Sequence, residues 1–262
     1  MNGKKFNLTV DIEPDRPPLP EEVQRPFTYK GIEEGLPILF DLLDSYHFRA
    51  TFFTLGETAE LFPSLVSEID RRGHEVACHT YYHRDCSKVP EQELAEDVKQ
   101  ATEVLQSQTG HPVVGFRFPY FRLNGSLLPR LKELGFLYDI SLLEFANGCQ
   151  SYERTARSAG IHLFSNTRYL DPERHMHVRF GGWMLRQKRP DEIQAIARAL
   201  LQERAAVSFY IHPWEFITLP FQVNAEDHFD PKLVKENFKI VLDECLRQGM
   251  EVVTLREVLG RK

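Results

Sequence analysis

Cysteine is scarce: four residues, Cys78, Cys86, Cys149 and Cys245, are spread over a chain of 262, and no two stand in a C-x-x-C spacing. That excludes a disulfide-dense miniprotein and a zinc ribbon, and it reads the cysteines as small, reduced, apolar side chains. Positive charge is also short, with 32 Lys and Arg against 38 Asp and Glu and a net charge of −6. Without a basic cluster interleaved with aromatics, nucleic acid is not expected as a partner. No run approaches the roughly 18 apolar residues of a membrane span, so no transmembrane segment is predicted. In the opening MNGKKFNLTVDIEPD the apolar stretch breaks at Asp11, too early for a signal-peptide core, and the expected location is cytoplasmic. Internal repeats and low-complexity tracts are missing as well.

What remains is an ordinary globular composition, 42% hydrophobic and 27% charged. An amphipathic helix, then Gly, then a β-rich run recurs three times, at Leu61 to Arg72 with Gly73, Leu127 to Leu134 with Gly135, and Leu233 to Arg247 with Gly249. Further helical spacing runs over Ile32 to Ser45, Pro90 to Gln108 and Asp191 to Arg204. Between them lie short apolar runs with little alternation: FNLTVDI, ATFFTLG, HEVACHT, VVGFRFP, LYDIS, AVSFYIH and EVVTL. Strands of that kind are buried on both faces, as parallel strands under helices are. The expectation is a single α/β domain over residues 1–262, a barrel of about seven parallel strands, with 147–188 a long loop or hairpin excursion.

In such barrels the chemistry sits at the carboxyl ends of the strands. His79-Thr-Tyr-Tyr-His83 follows one strand, with imidazoles four apart, a spacing that on a helical turn serves one metal ion. Asp11 and Glu13, two apart at the end of another, leave an extended chain on the same side. Either can complete a two-histidine, one-carboxylate site while the other stays free as a base, and spacing alone does not say which. Arg117, Asp139 and His212 occupy other strand ends. His175 and His177, in RHMHVRFGGW, are two apart and read with Arg179 and Trp183 as a substrate-contacting loop rather than a second metal site.

Taken in chain order, TVDIE, HTYYH, RFPY, YDIS and YIHPWE resemble the five motifs of the polysaccharide deacetylase family, the NodB-homology domain of carbohydrate esterase family 4. FYIHPWE and FGGWMLR resemble the branch associated with surface and exopolysaccharide biosynthesis. The resemblance implies a distorted (β/α)7 barrel and a metal-dependent hydrolase removing an N-acyl group, acetyl or formyl, from an amino sugar in surface polysaccharide, O-antigen or lipid-linked glycan assembly. An acylated glycan or a lipid- or nucleotide-linked precursor is then the partner, and one divalent ion the cofactor, zinc first, with cobalt, iron, manganese or nickel as alternatives. It assigns the base to Asp11, the metal to Glu13, His79 and His83, and the acid to His212. Arg117 would orient Asp11, Asp139 would partner His212, the Tyr120 backbone N–H would bind the oxyanion, and Tyr120 and Trp214 would wall the sugar. Where the family carries two adjacent aspartates, this chain has Asp11-Ile12-Glu13. Competing readings are a hydrolase of a non-sugar amide or cyclic imide, and a catalytically inactive glycan-binding module. A two-histidine iron oxygenase would need a jelly-roll strand pattern that is not there.

Overall fold

The computed structural model describes residues 3–15, 28–146, 149–219 and 228–260. Strand β1, Lys5–Ile12, is buried from Phe6 onward and shows why its sequence lacks alternation. Phe6, Leu8, Val10 and Ile12 pack into the large cluster under the helices, while Asn7, Thr9 and Asp11 alternate to the barrel's inside, where they too are buried. The neighbours are β2 (Thr51–Thr54), β3 (Glu75–Cys78), β4 (Gly115–Phe116), β5 (Tyr138–Leu143) and β6 (His162–Asn166), with β7 (Arg168–Asp171) and β8 (Met176–Arg179) forming a separate antiparallel hairpin. On the other side of β1 lies β9 (Ala206–Ile211), and β10 (Glu251–Val252) pairs with Lys5 and Phe6 at the foot of β1. The order β9-β1-β2-β3-β4-β5-β6 is parallel throughout, so seven carboxyl ends share one rim.

Closure between β6 and β9 runs through hydroxyls. Ser208 Oγ donates to the Ser165 carbonyl (2.8 Å) and accepts from the Thr167 N–H (3.0 Å), and the Ser208 N–H donates to Thr167 Oγ1 (3.0 Å). A small cluster of Phe53, Ala77, Tyr138, Ile140 and Leu255 fills the inside.

Outside, helices α1 (Leu36–Tyr46), α2 (Gly56–Leu61), α3 (Leu65–Arg71), α4 (Glu91–Thr109), α5 (Leu128–Glu133), α6 (Cys149–Ala159), α7 (Gly182–Gln187), α8 (Pro190–Glu203), α9 (Pro231–Arg247) and α10 (Leu255–Val258) surround the sheet. No described helix is long and apolar enough to cross a membrane. Fully buried anchors such as Phe238 and Leu242 of α9 each contribute on the order of 2 kcal/mol by leaving water. Gly73, Gly135 and Gly249 all have positive φ, as the helix–Gly–strand punctuation predicts.

Two expectations need correction. The helix expected from Leu61 to Arg72 is two helices broken around Pro63, which cannot donate to a helical ladder. The stretch 147–188 does hold a hairpin, but α6 and β6 precede it, and β6 rather than EVVTL is the seventh barrel strand. Strand β6 is an edge strand whose residues His162 to Ser165 are only partly covered, so it lacks the continuous apolar run of its neighbours. Asn147 lies outside the described residues.

Candidate active site

Period-two alternation carries Thr9, Asp11 and Glu13 along one side of the chain into the barrel mouth. Glu13 Oε2 lies 2.7 Å from His83 Nε2 and 3.4 Å from His79 Nε2, and all three residues are buried, with ligand atoms within 4.8 Å of one another. The residues fit a divalent ion. His79 Nδ1 is 2.8 Å from the Arg117 carbonyl, a contact that places its proton on Nδ1 and leaves the Nε2 lone pair facing Glu13. Burial alone would push the Glu13 carboxyl up, but His83, His79 and His212 hold it well below the usual carboxylate range.

The two histidines do not meet on a helix. Residues 79–83 form a turn in which Thr80 (φ 73) and His83 (φ 55) are left-handed, setting the imidazoles edge to face with centroids 5.0 Å apart. A β-branched residue in that region is strained, and strain of this kind gathers at functional sites. Asp97 of α4 accepts from the Tyr81 N–H (2.7 Å) and His83 N donates to Thr80 Oγ1 (3.3 Å), which fasten the turn.

Arg117 is fully buried and lies over the Phe53 ring (4.2 Å). It donates to Asp11 Oδ1 (2.5 Å), Thr9 Oγ1 (2.8 Å) and Asn166 Oδ1 (3.4 Å). Asp11 thus pairs with the guanidinium and Glu13 with the histidines. His212, on the side of β9 that faces inward, has Nε2 3.9 Å from Asp11 and 3.8 Å from Glu13.

Asp139 does not partner His212. Tyr138 and Ile140 take the inward positions of β5, so Asp139 turns outward. There it accepts from the Ser141 hydroxyl and N–H and from Tyr152 of α6 (3.1 Å), and burial raises it to about 6. The Ser141 hydroxyl accepts from the Phe118 N–H (2.7 Å), which ties this network to the turn carrying Arg117 and Tyr120. The carboxylate beside His212 is Glu215, a residue the sequence left without a role. Its Oε2 accepts from the His212 N–H (3.1 Å), and its Oε1 lies 3.8 Å from His212 Nδ1 and 3.3 Å from Arg186 Nε. Burial would lower the His212 imidazole, yet Glu215, Glu13 and Asp11 raise it above its ordinary value. The signal available was a carboxylate three residues after the histidine in HPWE.

Trp214 is not an open platform. It is buried, stacked on the His212 ring (4.8 Å, 21°), with Arg186 4.9 Å from its centroid. A π-helical turn at Gly31–Gly35, anchored by Asp15 accepting from Gly31 N (3.0 Å), packs against this segment so closely that a Cβ on Gly31 would lie 2.7 Å from Trp214. Tyr120 is exposed, with its ring edge on His83 (4.6 Å).

A profile of the polysaccharide deacetylase family matches residues 2–138. The peptidoglycan-N-acetylglucosamine deacetylase of Bacillus cereus is 35% identical over 104 residues, 40% of this chain and 38% of that protein. The peptidoglycan deacetylase of Helicobacter pylori is 30% identical over 111 residues, 42% of this chain and 38% of its own length. The matched segment therefore spans well under half the length of these relatives. A family 4 carbohydrate esterase from Streptomyces lividans, solved with acetate, superposes with a TM-score of 0.59 at 16% identity, over 98% of this chain and 96% of that one. The Bc1960 peptidoglycan N-acetylglucosamine deacetylase gives 0.60 at 20% identity, over 100% and 90%. At such identities the superpositions speak for the (β/α)7 fold, and the profile, covering over half the sequence, makes the chain a member of the polysaccharide deacetylase family.

Proposed function

We propose that the chain is one catalytic domain that hydrolyses the N-acetyl group of an amino-sugar glycan. The observation that carries this reading is the convergence of two separate carboxylates on one mouth: Glu13 against His79 and His83, and Asp11 against Arg117, with His212 within 4 Å of both. The relatives named for peptidoglycan and chitin deacetylation point to the same substrate class.

A divalent ion on Glu13, His79 and His83 would supply Lewis acidity, acidifying the attacking water and polarising the acyl carbonyl. Asp11 takes the proton from that water, and the Arg117 guanidinium that donates to its Oδ1 keeps it aimed. His212, whose charged form the carboxylates around it favour, gives a proton to the departing sugar nitrogen, so that a free amine and acetate result. Glu215 holds the His212 backbone and faces its Nδ1, and Trp214 supports the ring from the side. Tyr120 offers the mouth its exposed ring and its backbone N–H. FYIHPWE and FGGWMLR favour a substrate in surface-polysaccharide assembly.

The test is acetate release from N-acetylglucosamine oligomers and acetylated glycan precursors, alongside elemental analysis of the purified protein. Stoichiometric metal with acetate release is expected. A metal-loaded protein that releases no acyl group from any glycan, yet binds them, would replace this reading with a binding module.

A further inference from the structure

Arg179 ends β8 and leads into Phe180, Gly181 and Gly182, a segment laid against β9. Tyr210 N donates to the Phe180 carbonyl (3.4 Å), and Gly181 forms an isolated parallel bridge with Tyr210. A Cβ on Gly181 would enter the Tyr210 ring, and one on Gly182 would meet the Glu215 carboxylate. Only glycine lets the backbone come this near, and the approach sets where the Arg179 side chain departs. Its guanidinium lies 4.8 Å from the Phe121 centroid and 5.3 Å from that of Tyr210.

Both rings border the site. Phe121 also lies 5.3 Å from the Arg117 guanidinium, and Tyr210 meets His212 edge to face at 5.7 Å. Phe121 reaches this place through two successive left-handed residues, Tyr120 (φ 58) and Phe121 (φ 57), an uncommon conformation for side-chain-bearing residues. Among the described residues no carboxylate pairs with Arg179, although acidic residues outnumber basic ones in the chain. Nearby cations are matched: Arg186 by Glu215, Lys188 by Asp171, Arg204 by Glu144.

We propose that Arg179 is an anion-recognition residue at the rim of the site, and that the substrate carries a phosphate or carboxylate close to the acylated sugar nitrogen. The proposal rests on the deacetylase reading. A guanidinium lying against two rings keeps its N–H fork free for such a group, and the fork matches both anions in two-point fashion. A neutral sugar would leave it unused.

Calorimetric binding of N-acetylglucosamine, its 1-phosphate and its 3-O-carboxymethyl ether to the full chain, to Arg179→Gln and to Arg179→Lys tests this, with acetate release followed in parallel. Wild type is expected to bind at least one anionic probe about tenfold more tightly than the neutral sugar, the size of one charge-assisted contact. Arg179→Gln should lose that preference and Arg179→Lys keep part of it, while the preferred arm distinguishes phosphate from carboxylate. Equal binding of the three probes, no binding of either anion, or a preference that survives in Arg179→Gln overturns the proposal. Should the Gln variant not fold, the wild-type preference must shrink as ionic strength rises, and a salt-insensitive preference overturns it. An Arg179-dependent preference without acetate release from any probe leaves this inference standing and counts against the deacetylase reading.

Discussion

Replacing Arg117 by Met should be among the most damaging single changes in this chain, and its cost follows from what the guanidinium leaves behind. The side chain is fully buried and bonded to Asp11, Thr9 and Asn166. Met fills much of the volume but offers no donor, so the Asp11 carboxylate, itself only 3% exposed, becomes a buried charge that has lost its hydrogen-bonded cation and keeps only the His212 imidazole, 3.9 Å away. Removing one member of a buried pair costs about 3–5 kcal/mol. For a chain of this size that corresponds to a fall in Tm of about 10 °C. Urea unfolding of metal-free protein measures it without reference to catalysis. The informative variant is the double change Arg117→Met with Asp11→Asn, which removes both charges and should recover more than half of the loss. If the single variant loses less than about 1 kcal/mol, the range of an exposed ion pair, or the double variant is no more stable than the single, the pair is not the buried unit described.

Other predictions concern the rest of the mouth. His79→Ala and Glu13→Gln should purify without metal, whereas Asp11→Asn should keep it and lose turnover; elemental analysis showing metal loss in Asp11→Asn would make Asp11 a ligand. Gly182→Ala should push the Glu215 carboxylate away from His212 and lower kcat by about a hundredfold, the scale of a lost general acid, with metal content unchanged; near-normal turnover would remove Glu215 from the proton-donor apparatus. Burial raises Asp139 from 3.8 to about 6 in the fold, so the fold binds the extra proton between those values. Stability is then fully present below 3.8 and falls by about 3 kcal/mol as pH rises through 6. Asp139→Asn should lack this fall in urea titrations at pH 4 and pH 7, and an unchanged pH dependence would clear Asp139 of it.

The parts of the site legible in the sequence are those where chain order and periodicity do the placing. Asp11 and Glu13 enter the mouth because β1 alternates, and HTYYH stands at a carboxyl end because it follows a buried strand. Which carboxylate faces which partner was not legible from spacing, since that depends on Arg117 lying across the barrel from the next strands. Asp139 misled because a strand-end acid gives no sign of which face it takes; the inward places of Tyr138 and Ile140 decide it. Glu215 was hidden by doubling as the cap of its own short turn. Strand β6 and helix α6 escaped because an edge strand and a largely exposed helix bury too little to leave a hydrophobic rhythm.

The seam between β6 and β9 is sewn by Ser208 and Thr167 rather than by a ladder of main-chain bonds. A ring fastened by a few hydroxyl stitches has a preferred place to open, and native-state amide exchange should proceed first there. The same stitches join the strand that leads to His212 to the strand that ends in Asn166, the partner of Arg117. Lengthening or shortening a single side chain at 167 or 208 would therefore alter the spacing of these two strands without touching Asp11, Glu13, His79, His83 or His212.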